Sequence, residues 1–396
     1  MKTKWMSVMG VLVLLGCGTL NVWAKEKNSW PEKMKKLQTT LQAVLADVSS
    51  DERFYDPKNF KRIEKNVLEF SKLAHEISRD TPISPDGDPT VGMIAGEFSR
   101  EAKNAAQTLK WGQRPYARNV LRSMTQYCIA CHTKNPNGPQ FAGLSQAPTF
   151  LKEGSLDRAN YLTAVREFDQ AYSGYLQIIE SEKSAPATSL NWEKAVRMSL
   201  AISVRVKNDP DLSLKVVAAV SGTKNAPLFI KEQASAWRIA LEKWKKEKPV
   251  AKNEEALFNE SLRLVQEAKD LQKYPVDRSA DVLFLRASAI IHDQLALAPN
   301  GKRAAEAMYL AGTIYDVLGS AEIWDMSSLF YLGCIAKVPH TAMSRNCYRQ
   351  YEEKIYFSYS GSSGTHLPPE VKKQLNELDL LSIPQDQKPK VERSVN

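Results

Sequence analysis

Residues 116–134 read YARNVLRSMTQYCIACHTK. Val120, Leu121, Met124, Cys128 and Cys131 recur at threes and fours, so the stretch reads as an amphipathic helix with these residues turned inward. Within it, Cys128-Ile129-Ala130-Cys131-His132 is a C-x-x-C-H motif, the signature of covalent c-type haem attachment. In that chemistry Cys128 and Cys131 hold the porphyrin through two thioethers, and His132 binds iron from one face. Two other chemistries use similar spacing. A redox C-x-x-C pair sits at a helix start near a βαβ pattern, and the chain shows no βαβ alternation. Half of a zinc site needs two more ligands, and neither a second C-x-x-C nor an H-x3–5-H partner is found. A structural disulfide or a chance match is the bland alternative.

Three more helices precede this one. Ser29-Trp30-Pro31-Glu32 is a capping box with proline in the first turn, and Met34, Leu37, Leu41, Val44 and Val48 follow at helical spacing. A second helix is predicted over residues 57–79, striped by Phe60, Ile63, Val67, Phe70, Ala74 and Ile77. DTPISPDGDPT (80–90) is a loop, and Asp88-Pro89 opens a third helix with Val91, Ile94, Phe98, Ala105 and Leu109 inward. WGQRP (111–115) turns the chain into the fourth helix, and Pro136 ends it. Four amphipathic helices with mostly short links predict an up-down-up-down bundle. In that topology the end of helix four lies beside the start of helix one, so a group on Cys128 and Cys131 sits close to Met34. His75 and Met93 belong to the same end.

Residues 29–135 resemble the class II c-type cytochromes, the four-helix cytochrome c-prime family, and their b-type bundle relatives. The resemblance rests on Met34-Lys-Lys-Leu37-Gln-Thr-Thr-Leu41 near the start of helix one and on the C-x-x-C-H late in helix four. It covers about a quarter of the chain. It implies one covalent haem c, His132 as axial ligand, Met34 as a candidate sixth ligand, and pairing of bundles into a homodimer. Some members of that family leave the sixth position empty or screen it with an apolar side chain, so Met34 either ligates iron or packs the core. His75 falls off the main stripe, and Met93 shares a face with Glu97 and Arg100. Both are disfavoured as ligands. Arg114, Arg118 and Arg122 are spaced by four, and residues 102–152 contain no acid. They form either a basic docking or haem-propionate face or a solvated helix face.

The N-terminus sets the compartment. MKTK followed by VMGVLVLLG is an export signal. Cleavage is expected after Ala24 (residues 1–24 removed). The alternative is a lipobox at Leu14-Leu15-Gly16-Cys17, with a lipid anchor on Cys17. No other apolar run reaches membrane-spanning length. The protein is thus expected in a bacterial periplasm, where c-type haem is attached. Cys334 and Cys347 flank the Val338-Pro339-His340 turn between two predicted helices. A disulfide there suits an oxidising compartment, and two buried thiols are the alternative.

The 396 residues are 43% hydrophobic, enough for two domains with buried cores. The net charge of +9 suits acidic partners, but no dense Lys/Arg run with interleaved aromatics points to nucleic acid. The expected layout is a cytochrome domain (25–140), a linker (141–155), a helical domain (156–382) and a flexible tail (383–396). Helices are predicted near 157–182, 191–207, 226–246, 253–271, 280–297, 302–318, 325–337, 341–356 and 368–380, with GSSGTHLPP (361–369) a loop. Leu310-Ala311-Gly312-Thr313-Ile314-Tyr315 and Tyr331-Leu332-Gly333 faintly resemble the tetratricopeptide element, without a clean 34-residue period. The fold class is therefore all-α: a bundle followed by an α-hairpin array or solenoid. The expected function is electron transfer with a periplasmic redox partner. A haem-based gas or redox sensor with an open sixth site is the alternative, as is a protein-binding scaffold with an accessory haem. No nucleophile elbow or acid/base constellation near the haem motif suggests an enzyme.

Overall fold

The structure is a computed structural model that describes residues 30–80, 90–134, 146–181, 189–319 and 326–387. The export segment with Cys17 and Ala24, Ser29 of the capping box, Asp88-Pro89, Pro136 and residues 388–396 of the tail lie outside the described residues. Among the described residues the protein is all-α, with sixteen α-helices and one minimal hairpin. That hairpin pairs Ser360–Gly361 antiparallel with Gly364–Thr365, inside the stretch expected to be a loop.

Four long helices come first: α1 (Trp30–Val48), α3 (Phe60–Asp80), α4 (Thr90–Lys110) and α5 (Arg114–Lys134), with the short α2 (Asp51–Tyr55) after α1. α1 packs on α3 and α5, α3 on α4, and α4 on α5, so their apolar stripes close on one another. Leu37, Leu41, Val44 and Val48 of α1 are buried with Ile63, Val67 and Phe70 of α3. Phe70 meets Phe98 of α4 edge to face, ring centroids 5.5 Å apart. The predicted second helix starts later than expected. Ser50 caps α2, and Asp56 caps a 3-10 turn over Pro57–Asn59, so the caps divide the segment before α3 begins. Gly112 makes the α4–α5 turn at a φ of 79°, a conformation suited to glycine.

The remaining helices pack mainly on their neighbours in sequence. They are α6 (Leu156–Ala164), α7 (Phe168–Glu180), α8 (Leu190–Leu200), α9 (Pro210–Gly222), α10 (Leu228–Trp244), α11 (Glu254–Leu271), α12 (Asp281–Leu297), α13 (Ala304–Leu318), α14 (Met326–Lys337), α15 (Ala342–Ser358) and α16 (Pro369–Ser382). Three details differ from the sequence reading. The helix expected over 157–182 is two helices, broken where Arg166 takes a φ of 66°. The one expected over 191–207 is α8 continued by π-helical turns over Ala201–Val206. α9 was not anticipated, although Asp209 caps it through the Asp211 and Leu212 amides and Pro210 occupies its first turn. Cys334 and Cys347 are joined as a disulfide between α14 and α15.

The two helical units share their inner faces. Leu151, from the stretch expected to be a linker, and Tyr161 of α6 enter the core of the first four helices. Ile94, Ile129 and Ala130 enter the core of the later helices. α4 also packs on α14, where a Cβ added at Gly333 would come within 2.3 Å of Met93 Cε. No helix among the described residues is long and apolar enough to cross a membrane.

Candidate functional site

Helix order brings the C-terminal end of α5 beside the start of α1. Cys128, Cys131, His132 and Met34 line a single narrow cleft, open at its mouth. Its walls are mostly apolar. α1 contributes Trp30 and Leu37 one turn either side of Met34, α3 contributes Ile77, and α4 contributes Ile94 and Phe98. Tyr127 closes one side, its ring 5.9 Å from that of Phe98.

Cys128 and Cys131 are half-buried and are not joined to each other by a disulfide. They lie in the last two turns of α5, the end at which the helix dipole disfavours a negative charge. Burial pushes the Cys128 thiol up to about 12, and neighbouring Cys131 adds to the rise. Arg166 opposes that rise without cancelling it, whereas reactive and disulfide-exchanging cysteines need a depressed pKa. The environment therefore weighs against a redox pair and suits sulfurs that stay neutral, as thioethers do. Among the described residues no group of three or more His, Cys, Asp or Glu gathers as a metal cage.

His132 is buried. Its Nδ1 lies 2.5 Å from the Ala164 carbonyl at the end of α6, and the carbonyl can only accept, so Nδ1 carries the proton. The remaining Nε2 is then a lone-pair donor, the tautomer a metal ligand requires. Burial, joined by the charge of Arg166, lowers the His132 pKa to about 3 against the bond to Ala164, so the ring is neutral. Two cysteine sulfurs, that of Cys128 kept protonated by burial, a neutral imidazole of fixed tautomer and an apolar lining between helices fit a covalently held haem.

The other sequence candidates lie elsewhere. Arg114 sits over the Phe60 ring, 3.3 Å from its centroid, and 3.7 Å from Glu64. Arg118 donates to the Val48 carbonyl at 2.8 Å and pairs with Asp51. Arg122 lies 3.8 Å from Asp157. None of the three lines the cleft. His75 is exposed. His292 is buried, with Nε2 3.0 Å from the Tyr315 hydroxyl.

Sequence reasoning missed the contribution of the α6–α7 corner. A backbone carbonyl has no signature in sequence, and residues 164–167 contain neither glycine nor proline to mark a break. Trp30 was legible, four residues before Met34 on one helix face. Beyond the motif, the end of α5 is embedded in the later helices. Arg205, carried by the π-helical turns, donates to Thr133 Oγ1 at 3.4 Å and to Ser288 Oγ at 2.9 Å. Lys134 Nζ lies 4.5 Å from the Tyr315 ring centroid.

Compared with protein-family models, with curated proteins and with solved structures, the chain matches none of them.

Proposed function

We propose that this protein is an exported, single-haem c-type cytochrome that passes electrons to or from a periplasmic partner. In this reading α1, α3, α4 and α5 are a four-helix bundle of the class II kind. α6 to α16 are a helical-hairpin array, weakly tetratricopeptide-like, that positions the bundle beside that partner. The observation that carries the reading is His132: a neutral imidazole with Nδ1 given to Ala164, sharing one apolar cleft with Cys128, Cys131 and Met34. Haem, when bound, supplies a one-electron iron couple. The chain's own residues do the rest. Cys128 and Cys131 would supply the sulfurs of the two thioethers. His132 would hold the iron through Nε2, and Met34 would supply, where it binds, a thioether sulfur that favours the reduced state. Phe98, Ile94 and Leu37 keep water from the cleft.

The test is the exported protein from a host able to mature c-type cytochromes. Denaturing electrophoresis with haem staining should show a covalent band that is lost in the Cys128→Ser/Cys131→Ser double variant. Absence of the band from the wild-type chain would end the haem reading. Absorption spectra with and without carbon monoxide then address Met34. A low-spin spectrum that carbon monoxide barely changes supports ligation and electron transfer. Trp30 and Leu37 flank Met34 on the same cleft wall, which gives the sensor reading its footing: apolar side chains are available to screen an open site. A high-spin spectrum with ready carbon monoxide binding supports that second reading.

A further inference from the structure

We infer that a groove between the two helical units binds a small hydroxylated carboxylate, a hydroxy acid or a sugar acid. The groove holds about 400 Å³, within the range of small-molecule sites. It lies between the end of α1, the middle of α5 and the starts of α6 and α8. It shares no lining residue with the cleft at Cys128, so the inference stands apart from the haem reading.

Thr125 of α5 carries the argument. It is 7% exposed and lines the groove, and its hydroxyl makes no hydrogen bond among the described residues. Other buried helical threonines behave differently. Thr108, Thr133 and Thr163 each return the hydroxyl to the carbonyl four residues earlier, at 2.9, 2.8 and 2.9 Å. A buried hydroxyl left unpaired is costly, and at Thr125 the missing partner must come from the groove. Further polar groups around it are unengaged. The side chains of Asn119, Gln126, Asn191 and Lys194 form no hydrogen bond or ion pair among the described residues. Asn160 accepts the Tyr175 hydroxyl through Oδ1 at 2.7 Å, which leaves Nδ2 to donate.

The charges along the groove select an acid. Arg122 and Lys194 face a single carboxylate, that of Asp157, among the lining residues. Arg122 and Asp157 form a loose, exposed pair at 3.8 Å, so Lys194 is the uncompensated cation. α6 and α8, capped by Ser155 and Ser189, both begin at the groove, and the positive ends of their dipoles favour an anion there. The planar guanidinium of Arg122 matches a carboxylate. The amides and the Thr125 hydroxyl each offer a donor and an acceptor, the combination that ligand hydroxyls require. Leu45, Val48, Leu151 and Met198 add buried apolar surface for a carbon skeleton. Inorganic phosphate would leave this apolar surface unused, and a neutral sugar would leave Lys194 uncompensated.

The experiment is titration calorimetry on the full-length protein with D-gluconate, D-glucuronate and L-malate, and with D-glucose and inorganic phosphate for comparison. It uses wild type, Lys194→Gln, Thr125→Val and the exposed control Arg238→Gln. Wild type and Arg238→Gln should bind at least one of the three acids, and bind glucose and phosphate about tenfold more weakly or less. Lys194→Gln and Thr125→Val should each weaken the acid about tenfold, the order of one lost hydrogen bond or charge contact. Valine keeps the shape of threonine and removes a hydroxyl that has no partner in the chain, so the melting temperature of Thr125→Val should be undiminished. Lys194 is exposed and engages nothing, so Lys194→Gln tests the groove even where Thr125→Val melts early. No binding of any of the three acids at millimolar concentration would overturn the inference. Glucose or phosphate bound as tightly as the acids would overturn the ligand class, and unchanged acid affinity in Lys194→Gln or in Thr125→Val would overturn the assignment to this groove. Haem staining is read separately, so loss of the haem reading and loss of this one are distinguishable.

Discussion

His132 shows how burial and one hydrogen bond fix a protonation state. Its ordinary pKa of 6.5 falls to about 3 in the folded chain, because the buried ring cannot be charged cheaply beside Arg166. Between those values the unfolded chain binds a proton that the folded chain refuses. The contribution to stability is therefore fully present above pH 6.5 and is lost as pH falls through that window, by up to about 1.4 kcal/mol per pH unit. Urea unfolding of the unloaded chain at pH 7, 6 and 5 should show this slope, and His132→Gln should flatten it. An equal slope in both proteins would mean that another group sets the acid sensitivity. Cys128 makes a parallel case. A thiol pushed up to about 12 gives little thiolate at neutral pH, so iodoacetamide should label it slowly. The rate should climb about tenfold per pH unit from pH 7 to 10 without levelling. A plateau near pH 8.5, read by mass spectrometry of the Cys128 peptide, would contradict the buried environment.

Two glycines at helix contacts, one within the second unit and one where α14 meets α4, differ in tolerance. A Cβ at Gly312 of α13 would lie 2.4 Å from Tyr331 Cε1, and the Tyr331 ring is fully buried with its hydroxyl donating to Asp316 at 2.5 Å. The ring has nowhere to move, so Gly312→Ala should cost about 1–3 kcal/mol. At Gly333 the obstructing atom is Met93 Cε, the far end of a flexible side chain. Alanine also gains up to about 1 kcal/mol of helix propensity over glycine, so Gly333→Ala should be near neutral. Thermal melts of the two variants test the contrast, and equal losses would refute it. The α14–α15 disulfide spans a sequence separation of 13. Replacing both cysteines by alanine should cost about 3 kcal/mol, seen as a lower urea midpoint. These helices were legible because apolar residues recur at threes and fours along them. Their interruptions were less so. Residues 164–167 look helical, and nothing in their composition marks the left-handed turn at Arg166. The run Val216-Val217 within α9 obscured a helix whose start signal, Asp209-Pro210, was in plain view.

The two units are coupled because each lends residues to the other's core. Helix order alone puts Met34, Cys128 and Cys131 at one end, and they line one cleft. That the opposite face of the same α5 turn is packed into a second unit could not be read from periodicity, since Ile129 and Ala130 look like any inward pair. In the folded chain Ile94 is 2% exposed and Ile129 1% exposed, both within the core of the later helices. Each side chain contributes about 1.5–3 kcal/mol by burial, so separating the units costs about 3–6 kcal/mol from these two alone. His132 would also lose its Ala164 partner. Full-length protein should therefore unfold in one transition, with cleft absorbance and far-ultraviolet circular dichroism changing together. A fragment of residues 25–145 should unfold at a lower urea concentration than the bundle does within the full chain. Two separated transitions in the full chain, or an equal midpoint for the fragment, would show that the shared faces contribute little. The bundle would then be an independent module, and Ala164 would be a neighbour of the site without energetic hold on it.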